Sequence, residues 1–150
     1  MTDAAVPAAI EALEPFVGEW RMAADLAPNP TDAPRASTTF EWLAGKRFLV
    51  QRWEVDFPDA PDGIAIIGIG PATGTYLQHY FDSRGVARLY DMAFAHGVWT
   101  LERSASEPDF SQRFTGHFNQ DGDSIVGRWE ISKDGAGWSP DFTLTYRRVT

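Results

Sequence analysis

At 150 residues the chain is long enough for one domain that buries roughly two thirds of its unfolded surface. Its 43% hydrophobic and 23% charged residues exclude a disordered chain. A formal net charge of −8, with the 13 basic residues scattered, argues against nucleic acid, whose phosphates would be repelled.

The absence of cysteine removes disulfides and thiolate metal sites, and the expected home is the reducing cytoplasm. No apolar run reaches the roughly 18 residues that a membrane helix needs. The longest, Ile64 to Ile69, is interrupted by Gly68 and followed by Gly70. Residues 1 to 9 carry Asp3 and neither Lys nor Arg, which reads against a signal peptide. No membrane partner is expected.

Val6 to Phe16 opens the chain as a short helix. Pro7 suits an early helical position, Ala8 and Ala9 are strong formers, and Ile10 and Leu13 fall on one face. Pro15 is expected to stop it within two turns, its apolar stripe packed across one end of the strands behind it. From Gly18 the periodicity becomes two-residue. Gly18 to Met22 is the first strand, and Leu26 to Pro34, which includes Pro28, Asn29, Pro30 and Asp32, is a loop. Thr38 to Trp42 and Phe48 to Phe57 come next as strands, separated by Ala44-Gly45-Lys46 and ended by Pro58 to Gly63.

The remaining strand cores are Ile64 to Gly70, Tyr76 to Phe81, Ala87 to Phe94, Val98 to Arg103, Phe110 to Phe118, Ser124 to Ile131 and Phe142 to Arg147. Turn chemistry parts them, as at Ser83-Arg84-Gly85, Ala95-His96-Gly97, Asp121-Gly122 and Asp134-Gly135. A series of short hairpins leaves two open edges unless its first and last strands pair. The reading is therefore all-β: a closed antiparallel up-and-down barrel of about ten strands with a short N-terminal helix, residues 1–150 forming one domain.

Alternation is clean late in the chain. Phe110, Gln112, Phe114, Gly116 and Phe118 share one face, while Ser111, Arg113, Thr115 and His117 share the other. Ile125, Gly127, Trp129 and Ile131 form a dry face, as do Phe142, Leu144 and Tyr146. The third and fifth strands mix polarity. A strand lining a ligand cavity would do so, and so would one covered on its outside.

Short motifs resolve to turns. Gly68-Ile69-Gly70 is followed by Pro71 instead of a helix start, so it is no dinucleotide fingerprint. Asn119 to Asp123 resembles part of a calcium loop, but Ser124 stands where glycine is required and strands flank it. His79, His96 and His117 share no metal-ligand spacing, so no metal site is expected. Without cysteine or a G-x-S-x-G elbow, nucleophilic catalysis has no support and no catalytic residue is assigned. Proton-transfer chemistry needs less, and His79 or Asp91 inside the barrel would supply an isomerase- or cyclase-type alternative.

The aromatic residues Trp42, Trp53, Tyr76, Tyr80, Tyr90, Trp99, Trp129 and Tyr146 form either a solid core or the wall of a pocket. The reading favours a pocket, with Trp53, His79, Tyr90, Trp99 and Trp129 as lining residues. The expected function is non-catalytic binding of a small, partly apolar ligand. Aromatic groups on both faces of the third strand are a further reading, as a homodimer surface.

The opening Phe16-Val17-Gly18-Glu19-Trp20 resembles the short helix running into G-x-W that begins lipocalin-like barrels of the calycin group. Phe40 to Leu49, Tyr76 to Asp82, Gly127 to Glu130, Asp134 to Trp138 and Phe142 to Arg148 resemble an uncharacterised bacterial family of that group. The resemblance implies a barrel with an internal pocket. It also raises the haem-binding nitrobindin branch, in which a histidine near the C-terminal strand holds the iron. Here Ser139 to Thr143 contains no histidine, so haem is disfavoured and no cofactor is expected.

Overall fold

The computed structural model describes residues 7–24, 35–56, 60–72, 74–105 and 108–149. A helix, α1 (Ala8–Glu11), and a 3-10 turn (Glu14–Phe16) precede ten strands. In chain order these are β1 (Gly18–Ala24), β2 (Arg35–Trp42), β3 (Leu49–Asp56), β4 (Gly63–Ile69), β5 (Tyr76–Asp82), β6 (Ala87–Ala95), β7 (Val98–Arg103), β8 (Ser111–Phe118), β9 (Ser124–Ser132) and β10 (Ser139–Arg148). Each strand pairs antiparallel with its chain neighbours, and β1 pairs with β10. The sheet is a closed up-and-down barrel.

Hairpin chemistry explains the tight joins. Ala95 pairs with Val98 across His96 and Gly97, whose φ angles are 54° and 75°. A two-residue loop with both φ positive follows the right-handed twist of its strands. Asn119 Oδ1 accepts the backbone N–H groups of Asp123 and Ser124 at 2.9 and 3.1 Å, which makes the segment resembling a calcium loop a hydrogen-bonded turn. The expected loop from Leu26 to Pro34 lies outside the described residues, as do Val6 and Phe57.

The N-terminal segment differs from the sequence expectation at Pro15. The α-helix already ends at Glu11, and Pro15 lies inside the 3-10 turn, where its fixed φ and missing N–H fit the first residues. That turn brings Phe16 into the end of the barrel. Its ring meets Phe40, Phe94, Trp99 and Phe118 at centroid distances of 5.3, 4.8, 5.0 and 5.1 Å. Ile10, Leu13 and Phe16 are all buried. The segment is a plug.

Polar bonds fix the plug in place. The Trp20 indole donates to Phe16 O at 2.8 Å, the Trp42 indole to Glu14 Oε2 at 2.8 Å, and the Tyr76 hydroxyl to Ala9 O. Arg148, at the end of β10, donates to the carbonyls of Val17 and Pro15, each at 2.6 Å. Its guanidinium also lies 4.1 Å over the Trp20 ring. The Trp20 indole is fully buried, and its bond satisfies a donor that burial would otherwise strand.

The tenth strand starts at Ser139, earlier than the apolar alternation from Phe142 indicates, because the register shifts between Pro140 and Phe142. A bulge there accommodates a proline that cannot donate to the ladder. On β3 the mixed polarity resolves by parity: Gln51 is buried and Trp53 half-buried on the inner face, while Arg52, Glu54 and Asp56 are exposed. Of the aromatic groups in this stretch, Trp53 faces the interior, whereas Phe48, just before β3, is 43% exposed. Among the described residues, no helix is long and apolar enough to cross a membrane.

Aromatic rings lie over glycines inside the barrel. A methyl group at Gly127 would fall 2.3 Å from Phe114 Cζ and 3.1 Å from Leu144 O. Phe114 is 1% exposed and flanked by Trp99 and Trp129 at 4.8 and 5.1 Å, so its ring can yield only by moving into the barrel interior. Gly127→Ala is expected to destabilise the fold by about 1–3 kcal/mol, and adding Phe114→Leu should recover part of the loss in urea unfolding. A single variant as stable as the parent would show that the ring yields freely.

Candidate functional site

Beyond the plug the barrel is hollow. A cavity of about 410 Å³ opens toward the end where β1, β3 and β5 finish and β6, β8 and β10 begin. That volume falls in the range of roughly 300–1,000 Å³ common for small-molecule sites. Of the five residues predicted to line a pocket, Trp53, Tyr90, Trp99 and Trp129 are on its wall. His79 is not. It lies on the outer face of β5, exposed, beside Phe81 and opposite Leu89 of β6. Strand parity accounts for this, since Gln78 and Tyr80 take the two inward positions that flank it.

Deep in the lumen the wall is aromatic and its polar groups are neutral. Trp53 stacks on Tyr80 at 5.3 Å, Tyr90 meets Trp129 edge-on at 5.8 Å, and Trp129 stacks on Phe142 at 6.4 Å. Gln51, Gln78 and Gln112 contribute amides that are 5%, 4% and 8% exposed. The Tyr90 hydroxyl donates to Gln112 Oε1 at 2.8 Å, and Gln51 Nε2 donates to Thr38 Oγ1 at 3.2 Å. Two buried atoms of wall residues, Gln78 Oε1 and Trp99 Nε1, have no hydrogen-bond partner among the described residues. An unsatisfied buried polar atom costs about 1–3 kcal/mol.

Burial raises the pKa of Tyr80, Tyr90 and Tyr146 above the ordinary phenol value. At Tyr80 the bond to Asp82 adds to the rise, whereas at Tyr90 the neighbouring Arg88 and Arg103 oppose it. All three stay protonated near neutral pH and act as hydrogen-bonding groups rather than bases. Their chemistry suits recognition.

Charge is confined to the mouth. Among the described residues, the charged side chains on the cavity wall are Arg84, Arg88 and Asp141. Asp141 is placed there by the bulge in β10, and burial raises its pKa. Arg84 is held by Asp82 at 2.7 Å, and Asp82 also accepts the Tyr80 hydroxyl at 2.7 Å. Burial pushes Asp82 up, but bonds from the Arg84 side chain, the Tyr80 hydroxyl and the Arg84 backbone N–H outweigh it and bring the group down to about 2.

Sequence reading missed the three glutamines and the arginines of the mouth. Gln51 and Gln78 were recoverable, because each lies two residues from an inward aromatic group, Trp53 and Tyr80. Trp42 and Tyr76, also named as candidate lining residues, instead bond to the plug. The proton-transfer candidates His79 and Asp91 are both exposed on the outer face of their strands, so neither can act inside the cavity. Among the described residues no cluster of three metal-ligating side chains is present. All three histidines are exposed, and the residues present do not fit a haem held by histidine in this lumen.

The fold and site together define a closed ten-stranded β-barrel, plugged at one end and hollow toward the other. The chain belongs to the family described as "Protein of unknown function (DUF1579)", whose model matches residues 8–148. It is similar to a solved structure titled "Crystal Structure of Rv2717c from M. tuberculosis", with a TM-score of 0.64 and 15% identity over 97% of this chain and 100% of that one. At that identity the likeness shows the fold alone. No curated protein matches the chain.

The Asp82 network yields a pH prediction. A carboxyl whose folded pKa is depressed contributes stability above its unfolded pKa, and that stability is lost as pH falls through the folded value. The contribution of Asp82 should therefore fade between roughly pH 4 and pH 2. Asp82→Asn should flatten the acid limb of a stability-against-pH curve in that window relative to the parent. Superimposable limbs would mean that the network adds nothing.

Proposed function

We propose that the protein binds a small, partly apolar molecule in the barrel lumen and does not transform it. The observation that carries this reading is the hollow itself. A cavity of about 410 Å³ remains open amid Trp, Tyr and Phe side chains that elsewhere in the same barrel pack solidly around Phe16. Packing of the interior would fill that space unless something else does. The neutral amides and phenols on the wall supply orientation, and the unpartnered Gln78 Oε1 and Trp99 Nε1 favour a ligand that carries polar groups as well.

The resemblance to lipocalin-like barrels of the calycin group supports the same reading, since an internal pocket is what that resemblance implies. The enzyme alternative is weaker. Among the described residues, the ionisable groups deep in the lumen are tyrosines whose pKa burial raises, and the two sequence candidates lie outside.

Native mass spectrometry of freshly purified protein should reveal a retained small molecule, or uptake of one from a pool of aromatic and aliphatic candidates. Trp129→Ala removes a wall ring and should weaken retention by about tenfold or more. A lumen that takes up nothing from such a pool, or retention unaltered in both Trp129→Ala and Trp53→Ala, would overturn the proposal.

A further inference from the structure

Three arginines stand together on the β5–β7 side of the mouth, and their pairing differs. Arg84 is bonded to Asp82 at 2.7 Å. Arg103 is bonded to Asp109 at 2.9 and 3.1 Å and to Phe110 O at 2.8 Å. Arg88 has no carboxylate in ion-pair reach among the described residues, although it is half-buried and on the cavity wall. Asp109 lies in its electrostatic range, but its direct bonds are to both sides of the Arg103 guanidinium and to Phe110 N–H. The Arg88 guanidinium sits 5.5 Å from the centroid of Phe110, another wall residue, and it also interacts with the Tyr90 hydroxyl.

A half-buried cation with no directly bonded carboxylate among the described residues is left to find another partner, and a guanidinium offers a planar fork that fits an oxyanion in two places. The aromatic wall directly below would hold the body of a ligand while that fork holds its end. We infer that Arg88 anchors an anion, so that the ligand is amphipathic: an aromatic or otherwise apolar body in the lumen and a carboxylate- or sulfonate-type group at the mouth. This rests on the lumen-binding proposal and narrows its chemistry. The opposite side of the mouth carries Asp141, which gives the opening two differently charged sides and orients an anionic end toward β6.

Two fluorescent probes with one aromatic body test this: anilinonaphthalene sulfonate, which is anionic, and phenylnaphthylamine, which is neutral. Arg88→Gln should weaken the sulfonate about tenfold and leave the neutral amine within about twofold, with Arg88→Lys in between. Equal effects on both probes, or none on either, would overturn the anchor while leaving lumen binding intact. Ala36→Trp, which places a large ring on the cavity wall, should abolish both signals. Persistence of both in that variant puts the probes elsewhere on the surface, and the lumen proposal and the anchor then fall together. Thermal melting of each variant checks that a lost signal is not lost folding.

Discussion

The structure depends on one seam. β1 pairs with β10 through five residue pairs, from Trp20 opposite Arg148 to Ala24 opposite Leu144. Without it the sheet would have two open edges and no defined inside. With it, parity is fixed around the whole ring, and every second residue is committed to the interior. Arg148 ties this seam to the plug, since the same side chain that ends β10 bonds to Val17 and Pro15 and covers Trp20. The first and last strands therefore meet at one cluster, and the same contacts serve both closure and capping.

Most of that frame was legible in the residues. The apolar alternation of 110–118, 125–131 and 142–146 put the correct face inward in each case, because those strands face water on the other side. The hairpin turns were legible because glycine, aspartate and asparagine mark them chemically. Less was legible where both faces carry apolar groups. On β4, Ile64 and Ile66 point outward while Ala65 and Ile67 are fully buried, so hydrophobicity alone assigns no side. The position of His79 is settled only once Gln78 and Tyr80 are known to face inward, and polarity would have ranked those three the other way round. The charged mouth was invisible for a related reason. Arg84, Arg88 and Asp141 read as ordinary surface residues until the barrel brings β5, β6 and β10 around one opening.

The two halves of the interior use the same residue types for different ends. Around Phe16 the rings interlock with centroid spacings near 5 Å, and the indole of Trp20 finds a carbonyl. Toward the mouth the rings line a space instead, and glutamines replace the aliphatic residues that would fill it. An amide in such a position weakens the core unless its polarity is used, and three of them on the wall are in keeping with the proposed binding of a ligand there. The glycines beneath the rings serve the same division. Gly63 lets the Trp53 indole lie flat against its neighbouring strand, since a methyl there would come within 2.1 Å of the ring.

The plug has a consequence for traffic. A tube stoppered at its floor has no through-route, so whatever occupies it must back out along the path by which it came. Exchange is then governed by the collar of side chains around the opening, and a resident molecule shields itself from competitors by standing in their way. If the lumen binds a ligand as proposed, such a vessel would suit storage and slow hand-over more than conveyance from one side to another.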